Sequence, residues 1–177
     1  MKAILISIQP RWVAKILNGE KTIEIRKSIP KCDLPIDVYI YCTKKEPYAR
    51  RYVHNDKWGT LEYIKSDGKV VAKFTLNKVE KIITIGMYYH ETKTLDKNEL
   101  PKLSCLTRQE LDNYLQGENG YAWHIDNLVI FDKPKEISEF ENRTLTRPRN
   151  INPCVIANGY FVRPLTRAPQ SWCYIEI

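Results

Sequence analysis

From Ala3 to Ile8 the chain is almost wholly apolar and rich in isoleucine, the makeup of a strand buried on both faces. Pro10 then opens a helix, its missing N–H costing nothing in the first turn. Trp12, Val13, Ile16 and Leu17 recur at the spacing of one helix face, which assigns Trp12 to the core. Gly19 stops that helix. In the stretch GEKTIEIRK, Gly19 to Lys27, the period changes to two: Ile23 and Ile25 fall on one face, Thr22, Glu24 and Arg26 on the other. Lys21 falls on the isoleucine side, so bringing it to Glu24 and Arg26 requires a twist or bulge at Thr22.

Further on, Ile36 to Cys42 reads as a strand from its β-branched and aromatic residues. Residues 43–66 hold no sustained period and read as an inserted loop. Asp67-Gly68 marks a turn, and residues 69–82, KVVAKFTLNKVEKI, alternate as one long strand. Thr107 with Glu110 three positions on makes a capping box for a helix carrying Leu111, Tyr114 and Leu115 to Gly117. Gly120 to Phe131 reads as a strand. Phe140 to Gly159 reads as a loop or lid, and Ser171 to Ile177 as a closing strand. About six strands around two or three short helices, joined by turns rather than helical crossovers, predict an α+β fold built on a small barrel.

Length changes this little: 177 residues suit one domain, 1–177, with insertions at 43–66 and 140–168. No apolar run approaches the roughly 20 residues of a membrane helix. The start, MKAILISIQP, meets Pro10 and Arg11 without a cleavage site, so it reads as a strand, not a signal peptide, and the cytoplasm is the expected location. Cys32, Cys42, Cys105, Cys154 and Cys173 are scattered and odd in number, which predicts reduced, buried thiols. His54, His90 and His124 are isolated. Neither a metal nor a cofactor is expected.

Charge does change the picture. The formal net charge is +7 and the pI is near 9.1, which favours an anionic partner. Residues 142–168 hold Arg143, Arg147, Arg149, Arg163 and Arg167 with no lysine and no acidic residue. Arginine's planar fork suits phosphate and base edges, although a solvated loop has the same composition.

Glycine-rich phosphate loops, nucleophile elbows and metal-binding helix motifs are absent from the sequence. GEKTIEIRK stands open between a solvated strand with a surface Glu24–Arg26 pair and one wall of a site. In the second case Lys21 and Arg26 hold an anionic or carbonyl-bearing ligand, and Glu24 orients them or accepts a proton. Tyr121 and Trp123 alternate onto one face, as core or as a platform for a base. Gln170 and Ser171 precede Trp172 in a turn where polar tips could meet a base edge.

Three stretches in this order, ISIQPRWVAKILNGEKTIEIRK, GYAWHI with VIFDKPKEI, and RAPQSWCYIEI, resemble the ASCH domain of the PUA-like superfamily. The resemblance implies a small PUA-like β-barrel with a cleft between the first helix, the charged strand and the strand of Tyr121 and Trp123. It implies RNA or another nucleic acid as partner. Some small members cleave RNA, and others hydrolyse the amide of an acylated cytidine; in those amide hydrolases the matching strand supplies a lysine and, three positions on, a threonine, assisted by a distant glutamate. Lys21 matches the lysine, but Glu24 stands at the threonine's position, and a carboxylate replaces a hydroxyl nucleophile poorly.

The expected function is therefore nucleic-acid binding, RNA and single strands favoured, with phosphates on Arg11, Lys15, Arg26 and the arginine-rich segment that includes Arg167, and one base near Trp123 and Trp172. The alternatives are a ribonuclease or modified-nucleoside hydrolase acting through Lys21 and Glu24, and a module that docks an acidic protein.

Overall fold

The computed structural model describes residues 2–44, 48–53, 60–65, 68–85, 89–96, 98–144, 155–157 and 160–177. Its strands are β1 (Lys2–Ile8), β2 (Ile23–Arg26), β3 (Ile36–Cys42), β4 (Tyr48–Val53), β5 (Thr60–Lys65), β6 (Val70–Leu76) and β7 (Val79–Ile85). Then come β8 (Tyr89–Glu91), β9 (Gly120–His124), β10 (Asp126–Lys135), β11 (Glu141–Thr144), β12 (Val155–Ala157), β13 (Tyr160–Pro164) and β14 (Trp172–Glu176). The helices are α1 (Pro10–Leu17), α2 (Glu99–Ser104) and α3 (Arg108–Leu115).

The apolar run of β1 becomes an inner strand, paired parallel to β3 and antiparallel to β14. Its alternation feeds two cores. Ile4 and Ile6 pack with Val13 and Ile16 of α1 and with Phe74, while Ala3 and Leu5 pack with Tyr39 and Phe140 on the other face. A smaller sheet, ordered β2-β9-β7-β8, lays Ile23, Ile25 and Ala122 against Leu111 and Leu115 of α3. The architecture is α+β, with mixed sheets and few helices. Among the described residues no ladder joins the eight-stranded sheet, β10-β6-β3-β1-β14-β11-β13-β12, to the smaller one, so the expected barrel is met as open sheets.

Several boundaries differ from the sequence reading. The single strand expected over 69–82 breaks at Asn77-Lys78, and its halves β6 and β7 join different sheets. The strand expected over 120–131 breaks at Ile125 in the same way. An uninterrupted alternation cannot reveal such a break, because the chain stays extended while it changes neighbours. Residues 43–66, expected as a loop, contain the antiparallel pair β4 and β5. Residues 140–168, expected as an insertion and read as a loop or lid as far as Gly159, supply β11, β12 and β13; Arg147, Arg149 and Cys154 lie outside the described residues. Of the described cysteines only Cys42 is buried, whereas Cys32, Cys105 and Cys173 are partly exposed.

On β7, Glu80 is buried and accepts hydrogen bonds from Lys78 at 2.7 Å, His124 at 2.7 Å and Thr92 at 2.9 Å, and from Thr94. Burial raises its pKa, but these donors outweigh burial and hold it at about 2. A folded-state pKa below the unfolded one stabilises above the unfolded pKa, and the benefit is lost as pH falls from about 4.5 toward about 2. Thermal unfolding between pH 6 and 3 should therefore show a falling Tm that Glu80→Gln flattens. An equal slope in the variant would remove Glu80 from this account.

Candidate functional site

The polar face of β2 is as buried as its apolar one. Glu24 and Arg26 are each 7% exposed and Lys21 is 2% exposed. The three converge because β2 begins only at Ile23: α1 ends at Asn18, Gly19 takes a positive φ of 74°, and the chain folds back before the strand starts. The Thr22 amide donates to the Leu103 carbonyl at 3.0 Å, and the Thr22 carbonyl accepts from the Ile125 amide at 2.9 Å. The change of direction thus lies where the strand parity required it, in non-strand backbone.

Lys21 Nζ stands 3.2 Å from Glu24 Oε2, and Arg26 Nη2 stands 3.0 Å from Glu24 Oε1. Lys21 also donates to the Ser104 carbonyl at 2.7 Å, at the C-terminal end of α2 where a cation is favoured. Arg26 donates from Nη2 to the Ser7 carbonyl at 2.8 Å and from Nη1 to Ser171 Oγ at 3.3 Å. One carboxylate therefore balances two cations, and the Arg26 fork ties β2 to the end of β1 and to the turn before β14. Such a group persists in the interior only because its charges are paired and hydrogen-bonded.

Above this ionic floor opens a cavity of about 1040 Å³. Gln9, Arg11 and Trp12 of the first turn of α1 line one side, and Glu110, Asn113 and Tyr114 of α3 the other. The latter sit at i, i+3 and i+4, on one helix face. Lys27, Lys44 and Gln170 also border the cavity. Arg11 Nη1 lies 3.6 Å from Glu110 Oε1, linking the two helices, and its guanidinium lies 4.3 Å from the Trp12 ring. The Glu110 carboxyl is held below its ordinary range, first by the Thr107 amide in the capping box and further by Arg11 and Lys21. Burial holds the Tyr114 hydroxyl above its usual range, against the pull of Arg26, so it is a neutral phenol at pH 7.

Of the residues expected at the site, Arg11, Lys21, Glu24, Arg26, Gln170 and Ser171 border this cavity. Lys15, Tyr121, Trp123, Arg167 and Trp172 do not. Lys15 pairs with Glu20 at 3.1 Å on the outer side of α1, and Arg167 is exposed beyond β13. Tyr121 and Trp123 share a face as the alternation required, and that face packs on the main core. Trp123 is fully buried, its ring 5.7 Å from that of Trp172, and both indoles donate to Ser28: Trp123 to the carbonyl at 3.3 Å, Trp172 to the hydroxyl at 3.0 Å. Ser28 borders the cavity, so these rings shape the wall from behind.

Two aromatic residues reach the cavity: Trp12, which packs on the main core as expected and also lines the cleft, and Tyr114, which was expected only as part of the α3 helix. Also unforeseen was α2, which supplies the Ser104 carbonyl. Its signal was present: Asp96 with Glu99 three positions later, and the Asp96 amide does donate to the Glu99 carboxylate at 3.0 Å. Among the described residues no group of histidine, cysteine and carboxylate side chains could hold a metal ion, and no helix is long and apolar enough to cross a membrane.

Open mixed sheets with few helices and a polar cleft floored by strand-borne charges make this an α+β domain. Within that class the chain belongs to the ASCH domain family, whose model matches residues 6–153. It is similar in structure to the crystal structure of ASCH from Zymomonas mobilis, with 18% identity, a TM-score of 0.57, and coverage of 98% of this chain and 87% of that one. A tyrosine-to-phenylalanine mutant of that protein aligns with 17% identity, a TM-score of 0.58, and coverage of 99% and 91%. A serine-to-alanine mutant aligns with 17% identity, a TM-score of 0.57, and coverage of 98% and 88%. Among curated proteins, none matches the sequence.

Proposed function

We propose that this protein binds RNA, single strands in preference to duplex, in the cleft between α1, β2 and α3. The observation that carries the reading is the buried Lys21–Glu24–Arg26 group at the base of a cavity of about 1040 Å³, in a domain of a family associated with RNA. Arg11, Lys27 and Lys44 stand at its mouth and meet phosphates, while Gln170 and Ser171 offer hydrogen bonds to whatever enters. Arg26 is committed to Ser7, Glu24 and Ser171, so it holds the floor in shape rather than gripping the strand. The exposed Arg163 and Arg167 add to the basic surface along which a chain could continue. Duplex is disfavoured because a pocket of this kind takes a base whose face is free.

With about three phosphates neutralised, affinity for a labelled single strand should fall about 20-fold between 50 and 200 mM salt. The same sequence as duplex should bind more weakly at each concentration. A salt-independent affinity would overturn the reading.

A second reading is supported by one distance, the 3.2 Å between Lys21 Nζ and Glu24 Oε2. A lysine and a carboxylate within hydrogen-bond reach can work as an acid–base pair on a modified nucleoside or an RNA phosphodiester. In this reading Glu110, which lines the cavity together with Glu24, would serve as the distant carboxylate, whereas Glu80 is saturated by its own donors. Turnover of labelled RNA and of acylated nucleosides, abolished in Lys21→Met while RNA still binds, would establish the hydrolase. No turnover by the unaltered protein would leave binding alone.

A further inference from the structure

Four aromatic rings stand in or behind the cleft, and their surroundings differ. Trp123 is fully buried, and Trp172 is packed between Trp123 and Tyr174 with its indole N–H tied to Ser28. Trp12 borders the cavity, but its ring is engaged by the Arg11 guanidinium at 4.3 Å and lies 5.5 Å from Lys21 Nζ. Tyr114 meets a cation more loosely, with Lys27 Nζ 5.8 Å from its ring centroid. Its side chain is 38% exposed and borders the cavity, and its hydroxyl lies against the Arg26 guanidinium and the Lys27 amide. The ring is thus tethered at its polar end, with part of its surface open to the cavity.

Two neighbours on the same face of α3 supply what a planar ligand's edge needs. Glu110 uses Oε2 in the capping box with Thr107, leaving Oε1 in a loose 3.6 Å ion pair with Arg11, longer than a hydrogen bond. Asn113 accepts from Gln109 Nε2 at 3.1 Å through Oδ1, which directs its NH₂ group away from that bond. An acceptor and a donor therefore flank the ring one helical turn and one residue before it.

We propose that Tyr114 is the stacking platform for a single unpaired nucleobase, with Glu110 Oε1 and the Asn113 amide meeting the polar edge of that base. This rests on the reading of the cleft as an RNA site and adds which element holds the base. Tyrosine suits the task because a ring with few rotors and a fixed hydroxyl is already ordered before the ligand arrives.

The test is an abasic scan. A short single-stranded RNA is prepared as a set in which one base at a time is removed, and each strand is titrated against the protein and its variants. The unaltered protein should lose on the order of tenfold in affinity at one position of the strand. Tyr114→Ala should bind the intact strand more weakly by a similar factor and show no further loss at that position. Tyr114→Phe, which keeps the ring, should reproduce the scan of the unaltered protein. A full positional loss retained in Tyr114→Ala would overturn the proposal and place the base elsewhere. A flat scan with the unaltered protein would overturn it by showing backbone binding alone. Failure of every strand to bind would overturn the RNA reading itself, an outcome distinct from either.

Discussion

Replacing Glu24 with alanine lowers the stability of the protein by about 3–5 kcal/mol, the cost of breaking a buried ion pair from one side. The arithmetic of charge makes this substitution the severest in the group. Glu24 faces Lys21 at 3.2 Å and Arg26 at 3.0 Å, and each of these cations is more than nine-tenths buried. Its loss strands both at once. Lys21→Met is milder, because Glu24 retains Arg26 and the methionine stem fills the volume. In thermal unfolding, the Glu24→Ala loss corresponds to about 6–20 °C in Tm for a chain of this size. A Tm within 2 °C of the unaltered protein would mean that the group is hydrated, and the solvated-strand reading would return.

The second large effect is on Trp123. Truncation to alanine should cost about 3–5 kcal/mol, because a fully buried indole leaves a cavity that the surrounding β1 and α1 side chains cannot close. Trp123→Phe should cost less, chiefly the hydrogen bond to the Ser28 carbonyl, about 1 kcal/mol. Urea unfolding of both variants separates the two terms. If the ring were a ligand platform instead of core, Trp123→Ala would spare stability and lose binding, the reverse of what its burial predicts.

Much of the fold was legible because its signals are local. The isoleucine run of β1, the proline-led α1, the capping box of α3 and the extents of β3 and β14 follow from period, cap and composition. The two broken strands were not legible, since Asn77-Lys78 and Ile125 interrupt no alternation; the switch between sheets is decided by which neighbours are free to pair. Of the expected charges, Arg11, Lys21, Glu24 and Arg26 border the cavity and Lys15 and Arg167 do not; Trp123 and Trp172 lie behind it, and Trp12 and Tyr114 line it. Helical spacing puts Trp12 with Val13 and Ile16, yet it sits at the edge of that face, where Arg11 and Lys21 reach it. Tyr114 likewise follows the apolar Leu111 by three residues, but it turns with Glu110 toward the cavity. Residues on a boundary are where a period says least, because a shift of one position separates core from site. That Lys21 joins Glu24 and Arg26 follows from the strand starting two residues late, a tertiary fact set by the Leu103 and Ile125 backbone partners of Thr22.

The most direct measurement is a map of backbone amide chemical shifts as a short single-stranded RNA is added at low salt. Binding in the cleft predicts that the perturbed amides cluster at residues 21–28, 106–114 and 170–171, with the core positions of β1 and β6 unmoved. Perturbations confined to the edge strand β10 and to β13, with Lys21, Tyr114 and Ser171 silent, would contradict the cleft as the place where this protein meets RNA.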